Sequence, residues 1–262
     1  MQVALLLSYD GTDFRGFQRQ VPKYEPTIQG SIERAIARLS RGQLVTISGA
    51  GRTDAGVHAS GQVVTFPIPV DSHLTAADWQ RGLNAVLPAA IAVQDACLVA
   101  DTVSARFSAQ SRTYIYKVLL DQVRDPLRER FMWRVPQQLD LSAISACCEL
   151  LRGEHDFAAF GHSPANRQGR PRHPTVRHLL QATIHQNADL VQFEFMANAF
   201  LTGMVRHMVG TLISVGKGRL TTQEFKAILA ACQSGHPGAT APPRGLCLTH
   251  VDYPPGTIAW AS

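Results

Sequence analysis

Residues 48–66 read SGAGRTDAGVHASGQVVTF. Glycine and alanine recur through the first part, which can bury little, whereas GQVVTF has the β-branched character of a strand. A second strand candidate, QLVTIS, lies immediately upstream at 43–48. The stretch is therefore a loop joining two strands, and that placement decides the fold. Upstream, QVALLLSY (2–9) reads as a buried strand, and Ile28, Ile32, Ile36 and Leu39 recur at helical spacing behind Thr27, an N-cap residue. Downstream come a helix over roughly 75–87 and a strand in IAVQDACLVA (91–100). The resulting order is β-α-β-β-α-β, the ferredoxin-like arrangement.

The second half repeats that order in a different sequence. RTYIYKVLL is a strand and LSAISACCELL a helix, and VRHLLQATIHQ and LVQFEFMAN form a hairpin across NAD (187–189). In LVQFEFMAN, Val191, Phe193 and Phe195 share one face while Gln192 and Glu194 share the other. Helices over about 201–215 and 222–232 and a strand in GLCLTHVDY complete the set. The expected architecture is α+β, with an N-terminal domain over 1–104 and a C-terminal domain over 105–262, and a cleft between the two halves.

Composition narrows the function. The chain has 262 residues, is 45% hydrophobic and is 17% charged, as suits a globular protein with a proper core. No stretch approaches a membrane span. The first residues, MQVALLLSYDGT, lack the basic region and small-residue cleavage site of a secretion signal. Five scattered cysteines without a CxxC pair argue against a disulfide framework and for a reducing cytoplasm. No metal-ligand pattern stands out among the ten histidines. The net charge of +5 is uneven, being −1 over residues 1–104 (8 basic, 9 acidic) and +6 over 105–262 (17 basic, 11 acidic). Residues 161–178, GHSPANRQGRPRHPTVRH, carry four arginines, three histidines and no acid. A polyanionic partner is the natural reading.

The glycines invite a phosphate loop, but none is present. GAGRTD has Asp54 where the third glycine of a dinucleotide fingerprint belongs, and GRTDAG is followed by Val57 instead of the P-loop lysine. A plain β-turn would use the glycines and Asp54 yet leave Arg52, Thr53 and His58 unexplained. A carboxylate among small residues has room for a substrate to approach, as a nucleophile or base requires. Two other stretches carry candidate partners. SRTYIYKV sets Tyr114 and Tyr116 on one strand face, one of them a core residue and the other able to stack on a base. NAFLTGMVRHMVG places Arg206 in an otherwise apolar helix, suited to reach an acid such as Asp54.

With these residues in view, the chain resembles the tRNA pseudouridine synthase A family along nearly its whole length. GRTDAGVHA carries the resemblance most specifically. YDGTDFRGFQRQ, ARFSAQSRTYIY, NAFLTGMVRHMVG and ATAPPRGLCL support it in the same order. Phe17 departs from the tryptophan common in the family, a change expected to touch loop packing more than chemistry. The resemblance implies two α+β halves sharing a central antiparallel sheet, usually in a homodimer. It implies isomerisation of uridine to pseudouridine at positions 38, 39 and 40 in the tRNA anticodon arm, with no cofactor and no metal. The family's catalytic aspartate falls on Asp54, its active-site tyrosine on Tyr114, its salt-bridging arginine on Arg206 and its RNA-contacting arginine on Arg52. Leu201 is placed to close the far side of the base. A tRNA-binding module without catalysis would use the same basic surface, but it would not need an acid there.

Overall fold

The computed structural model describes residues 1–162, 175–232 and 238–260. Most of the arginine-rich segment 161–178 thus lies outside the described residues. The chain forms two compact units, one of Met1–Arg112 with Leu248–Ser262 and the other of Thr113–Cys247. The division by contacts thus falls at 112 and not at the expected position near residue 104, and most of the last strand, from Leu248 onward, goes with the first unit.

In the first unit, β1 (Gln2–Tyr9), α1 (Ile28–Leu39), β2 (Ser48–Gly49), β3 (His58–Pro67), α2 (Ala76–Val86) and β4 (Ile91–Val99) occur in the expected order. β1 is central, antiparallel to β3 on one side and to β4 on the other, with Leu5 opposite both Val64 and Ala96. That position explains its unbroken apolar sequence: Val3, Leu5 and Leu7 are fully buried, and so is Ala4 on the opposite face. Thr27 caps α1 by accepting the Gly30 N–H at 3.2 Å, and Ile28, Ile32 and Ile36 form the buried stripe. Thr75 and Asp78 form a capping box at α2, from which Trp79 meets Phe66 edge-on at 5.4 Å.

QLVTIS is the one expected strand that the structure largely withdraws. Only Ser48–Gly49 pairs, against β3. The preceding backbone is tied by side chains: Glu33 Oε1 accepts the Ile47 N–H at 3.1 Å, and the Gln43 amide makes two 2.9 Å bonds to the Val70 backbone. Those bonds replace a ladder, and Leu44 is left 93% exposed.

The second unit takes in most of β5 (Ser111–Leu119), then β6 (Trp133–Arg134), α3 (Leu141–Leu151), β7 (Gly153–Asp156), β8 (Val176–Asn187), β9 (Leu190–Ala197), α4 (Met204–Gly216) and α5 (Thr222–Ala231). β8 and β9 form the expected hairpin, closed by Asn187 opposite Leu190 and a left-handed Ala188. Strand order is β5-β9-β8-β7 here; in the first unit it is β4-β1-β3-β10, where β10 is Leu246–Asp252. The alternation read in β9 holds: Val191, Phe193, Phe195 and Ala197 are all fully buried. α4 starts at Met204, three residues later than expected. Thr202 instead bridges His162, and Gly203 adopts the left-handed N-cap conformation at φ 74°. No described helix is long and apolar enough to cross a membrane.

Candidate active site

Asp54 sits on the loop between β2 and β3, half-buried, and the loop is anchored on both sides of it. On the upstream side the Gln62 side chain donates to the Gly51 carbonyl at 2.9 Å and to Tyr9 Oη at 3.4 Å. Tyr9 Oη in turn shares a 2.9 Å hydrogen bond with Thr53 Oγ1. On the downstream side, the Val57 N–H closes a turn onto the Asp54 carbonyl at 3.1 Å. Buried polar groups joined in this way hold a single arrangement, because each broken bond strands a partner away from water.

A second loop, residues 10–17, braces the first. The Phe17 N–H donates to the Thr53 carbonyl at 3.0 Å, and the Gly56 N–H to the Phe14 carbonyl at 3.4 Å. The loops lie backbone to backbone, which is why glycine stands at the contacts. A Cβ on Gly11 would fall 2.0 Å from the Val57 oxygen. Gly16 has φ +96°, and a Cβ there would sit 3.0 Å from the Thr53 oxygen. Phe17 is buried, its ring filling the space beside Gly49, where a Cβ would be 2.5 Å from Cζ. Phe17, where the family commonly has tryptophan, therefore packs within this loop contact.

His58 opens β3 and is 5% exposed. Its Nδ1 accepts the Gly11 N–H at 3.1 Å and lies 3.1 Å from Asp10 Oδ1. Asp10 is itself fixed by Thr12, whose N–H and hydroxyl donate to Oδ1 at 3.0 and 2.6 Å. The histidine of GRTDAGVHA therefore ties the bracing loop to the strand that comes after Asp54.

Arg52 lies two residues before Asp54 on the exposed side of the loop. Partial burial, and then the charge of Arg106, hold its pKa below the ordinary arginine value.

In the second unit, the two tyrosines of β5 separate in role. Tyr116 is fully buried, donates to the Pro242 carbonyl at 2.7 Å, and meets Trp133 edge-on at 6.3 Å. Burial pushes its phenol pKa up, against the opposing charges of Arg206 and Arg244. Tyr114 keeps 7% exposure and packs against the edge of Phe200 at 5.0 Å. Leu201, the next residue, is buried against Gly161. Arg206 is half-buried in the first turn of α4, with Nε donating to the Ala241 carbonyl at 2.8 Å. Its guanidinium is thus oriented by α4 and the 241 segment together.

Several supporting residues carry no mark in the sequence that singles them out. Gln62 and Tyr9 have the look of ordinary strand residues. A fully buried glutamine inside GQVVTF is the signal that could have found them, since a buried amide demands partners. Arg112 stands in the sequence simply as a neighbour of Tyr114. It is 7% exposed and binds the carbonyls of Ala50, Arg106 and Ala109 at 2.6 to 3.2 Å.

A family model described as tRNA pseudouridine synthase matches residues 6–108 and 147–254, spanning the Asp54 loop, its brace, and both α4 and α5. The chain belongs to the tRNA pseudouridine synthase family, a family of isomerases. Within it, the chain is 40% identical over 253 residues to the tRNA pseudouridine synthase A of Moorella thermoacetica, covering 95% of this chain and 98% of that protein. It is 41% identical over 274 positions to the protein of that name from Burkholderia thailandensis, with coverage of 100% and 97%. The Methylacidiphilum infernorum protein of that name is 42% identical over 251 residues, with coverage of 96% and 95%.

Proposed function

We propose that this protein isomerises uridine to pseudouridine at positions 38, 39 and 40 of the tRNA anticodon arm, as a cytoplasmic homodimer needing neither cofactor nor metal. The observation that carries the reading is Asp54 itself: a carboxylate on a small-residue loop, braced on both flanks, inside a segment that the family model matches over 6–108. The basic balance of the chain suits an RNA substrate.

The target uracil is stacked within the arm, so it must swing out before its C1′–N1 bond is accessible, at a cost of a few kcal/mol. Arg52 supports the flipped state through a phosphate or the vacated space. Tyr114 lies against the extruded base, and Leu201 closes the other side. Asp54 then either attacks C1′, giving a sugar ester as N1 departs, or takes the C2′ proton, giving a glycal. Uracil rotates and rejoins through C5, and the C5 proton leaves by way of Tyr114. Arg206 favours the charged form of Asp54 throughout, since a guanidinium stabilises a carboxylate when water is scarce.

The test is an unmodified tRNA transcript carrying uridines at 38 to 40, incubated with the protein and mapped for pseudouridine. Wild type should convert those positions, and Asp54→Asn should bind the transcript without converting it. Substantial turnover by Asp54→Asn would remove the carboxylate from the mechanism, and product only at other positions would overturn the site assignment.

A further inference from the structure

The segment after β4 folds into a tight turn that points an aromatic ring at water. The Ser104 N–H donates to Ser108 Oγ at 3.0 Å, the Ser108 N–H to the Ser104 carbonyl at 3.0 Å, and the Phe107 N–H to Ser104 Oγ at 3.3 Å. Tyr253 Oη adds a 2.7 Å bond to the Ala105 carbonyl from below. Arg112 then binds this turn and the Asp54 loop at once. Its terminal nitrogens reach the carbonyls of Arg106 (2.6 Å) and Ala109 (3.2 Å), and Nε with one terminal nitrogen reaches the Ala50 carbonyl (3.2 and 2.9 Å). On this scaffold Phe107 is 82% exposed.

Exposed apolar residues are common, but this one is held in water by a hydrogen-bonded frame and does not collapse onto the surface. The Arg106 guanidinium lies 5.3 Å from the Phe107 ring centroid. Arg106 also stands close enough to Arg52 for its positive charge to count against Arg52's own. One Arg112 nitrogen bridges the backbone carbonyls of Ala50 and Arg106, so the segments carrying Arg52 and Arg106 are tied together, and an anion beside their like charges relieves the repulsion. Beside the ring, an open depression of about 620 Å³ is lined by Val99, Val103, Phe107, Ser108, Pro254 and Thr257. An anion beside an exposed aromatic face is the chemistry of a nucleotide: phosphate for the arginines, base for the ring.

We propose that Arg106 and Phe107 form a second nucleotide platform beside Arg52, which grips a tRNA residue other than the flipped uridine: its phosphate lies at the Arg106 guanidinium and its base stacks on Phe107. The proposal rests on the tRNA reading above. It assigns Arg106 and Phe107 to binding alone, since no reacting atom need approach them.

Binding judges the platform, and product formation judges the function. Dissociation constants for an unmodified tRNA transcript should be measured over a range of salt for wild type, Phe107→Ala, Phe107→Trp and Arg106→Gln. Light scattering tracks the assembly state, and pseudouridine yield is taken at saturating transcript. Phe107→Ala should raise Kd about tenfold with the saturated rate unchanged, in keeping with the loss of one stacked base. Phe107→Trp should stay within about twofold of wild type, since an indole offers the same stacking face. Arg106→Gln should raise Kd and flatten the plot of log K against log salt by about 0.7–0.9, the contribution of one phosphate. Unchanged Kd in Phe107→Ala overturns the platform, as does a changed assembly state with unchanged tRNA binding, which would make the ring a protein contact. A wild type that binds transcript but forms no pseudouridine would sink the functional reading while leaving the platform to stand on the binding series.

Discussion

Gly11→Ala puts the bracing of Asp54 to a quantitative test. The new methyl carbon would start 2.0 Å from the Val57 oxygen, 2.7 Å from its carbonyl carbon and 3.2 Å from its nitrogen. A relaxed Cβ-to-oxygen contact needs roughly 3 Å or more, so the carbonyl must retreat by about 1 Å, and no side chain is available to give way instead. Val57 cannot move alone. Its N–H closes the turn onto the Asp54 carbonyl at 3.1 Å, so the shift passes directly to the Asp54 loop. The Gly11 N–H would also pull away from His58 Nδ1, loosening the other tie between the two loops. Overpacking of this kind costs about 1–3 kcal/mol in stability. A 1 Å misplacement of a reacting group costs about a hundredfold in rate. Gly11→Ala should therefore melt several degrees lower yet remain folded at 25 °C, bind tRNA transcript within about threefold of wild type, and turn over about a hundredfold more slowly. Thermal unfolding, filter binding and single-turnover pseudouridine formation measure the three quantities. A folded Gly11→Ala enzyme with a single-turnover rate near wild type would refute the idea that loop 10–17 sets the position of Asp54.

Tyr114→Phe should retain tRNA binding, because the ring still packs on Phe200, while single-turnover kinetics show a large loss of rate; a rate near wild type would confine Tyr114 to stacking. Arg206→Ala should be severely impaired in turnover, and activity close to wild type would show that Asp54 needs no guanidinium. His58→Asn should keep most activity, since its amide oxygen can stand where Nδ1 accepts the Gly11 N–H, whereas His58→Leu leaves that N–H unpartnered at a cost of about 1–3 kcal/mol in melting experiments. Equal behaviour of the two variants would show that this hydrogen bond does not hold the loops together. Burial, with Cys147 and Glu149 adding to it, pushes the Cys148 thiol up to about 12, so only about one molecule in ten thousand is thiolate at pH 8. A thiol reagent should therefore label exposed Cys232 first and Cys148 last, as mass spectrometry of the time course would show.

The features legible in the sequence and those hidden from it divide along a physical line. Patterns that depend on near neighbours are readable: the apolar run of β1, the helical spacing behind Thr27, the alternation through Phe193 and Phe195, and a carboxylate among glycines at 48–66. Each states its environment within a few residues. QLVTIS misleads because it has the composition of a strand while its backbone is satisfied by Glu33 and Gln43, and a side-chain partner taken from a helix leaves no periodicity behind. The expected division at 104 differs from the contact boundary at 112 for a related reason. Residues 105–112 share the polar, aromatic and basic character of the second half, yet one buried guanidinium at Arg112 binds them to Ala50 in the first unit.

Arg112 also shows why the supporting parts of a candidate site are harder to read than its proposed reacting groups. Asp54 is conspicuous because a carboxylate among glycines needs a reason. An arginine beside two tyrosines in a basic half of the chain needs none, and its ordinary reading is a contact to RNA. The structure puts it to a different use. Its side chain is 7% exposed, and its charge is spread over three backbone carbonyls that no sequence pattern marks. Lysine could not replace it, since one ammonium cannot span acceptors on two loops in a fixed plane. The same fork that binds the Ala50 carbonyl before Asp54 also binds the carbonyl of Arg106, next to the exposed Phe107. The position of the acid and the proposed grip on a second nucleotide therefore depend on one buried side chain. An Arg112→Lys variant that lost tRNA affinity and single-turnover rate together would show the two to be set by the same contact.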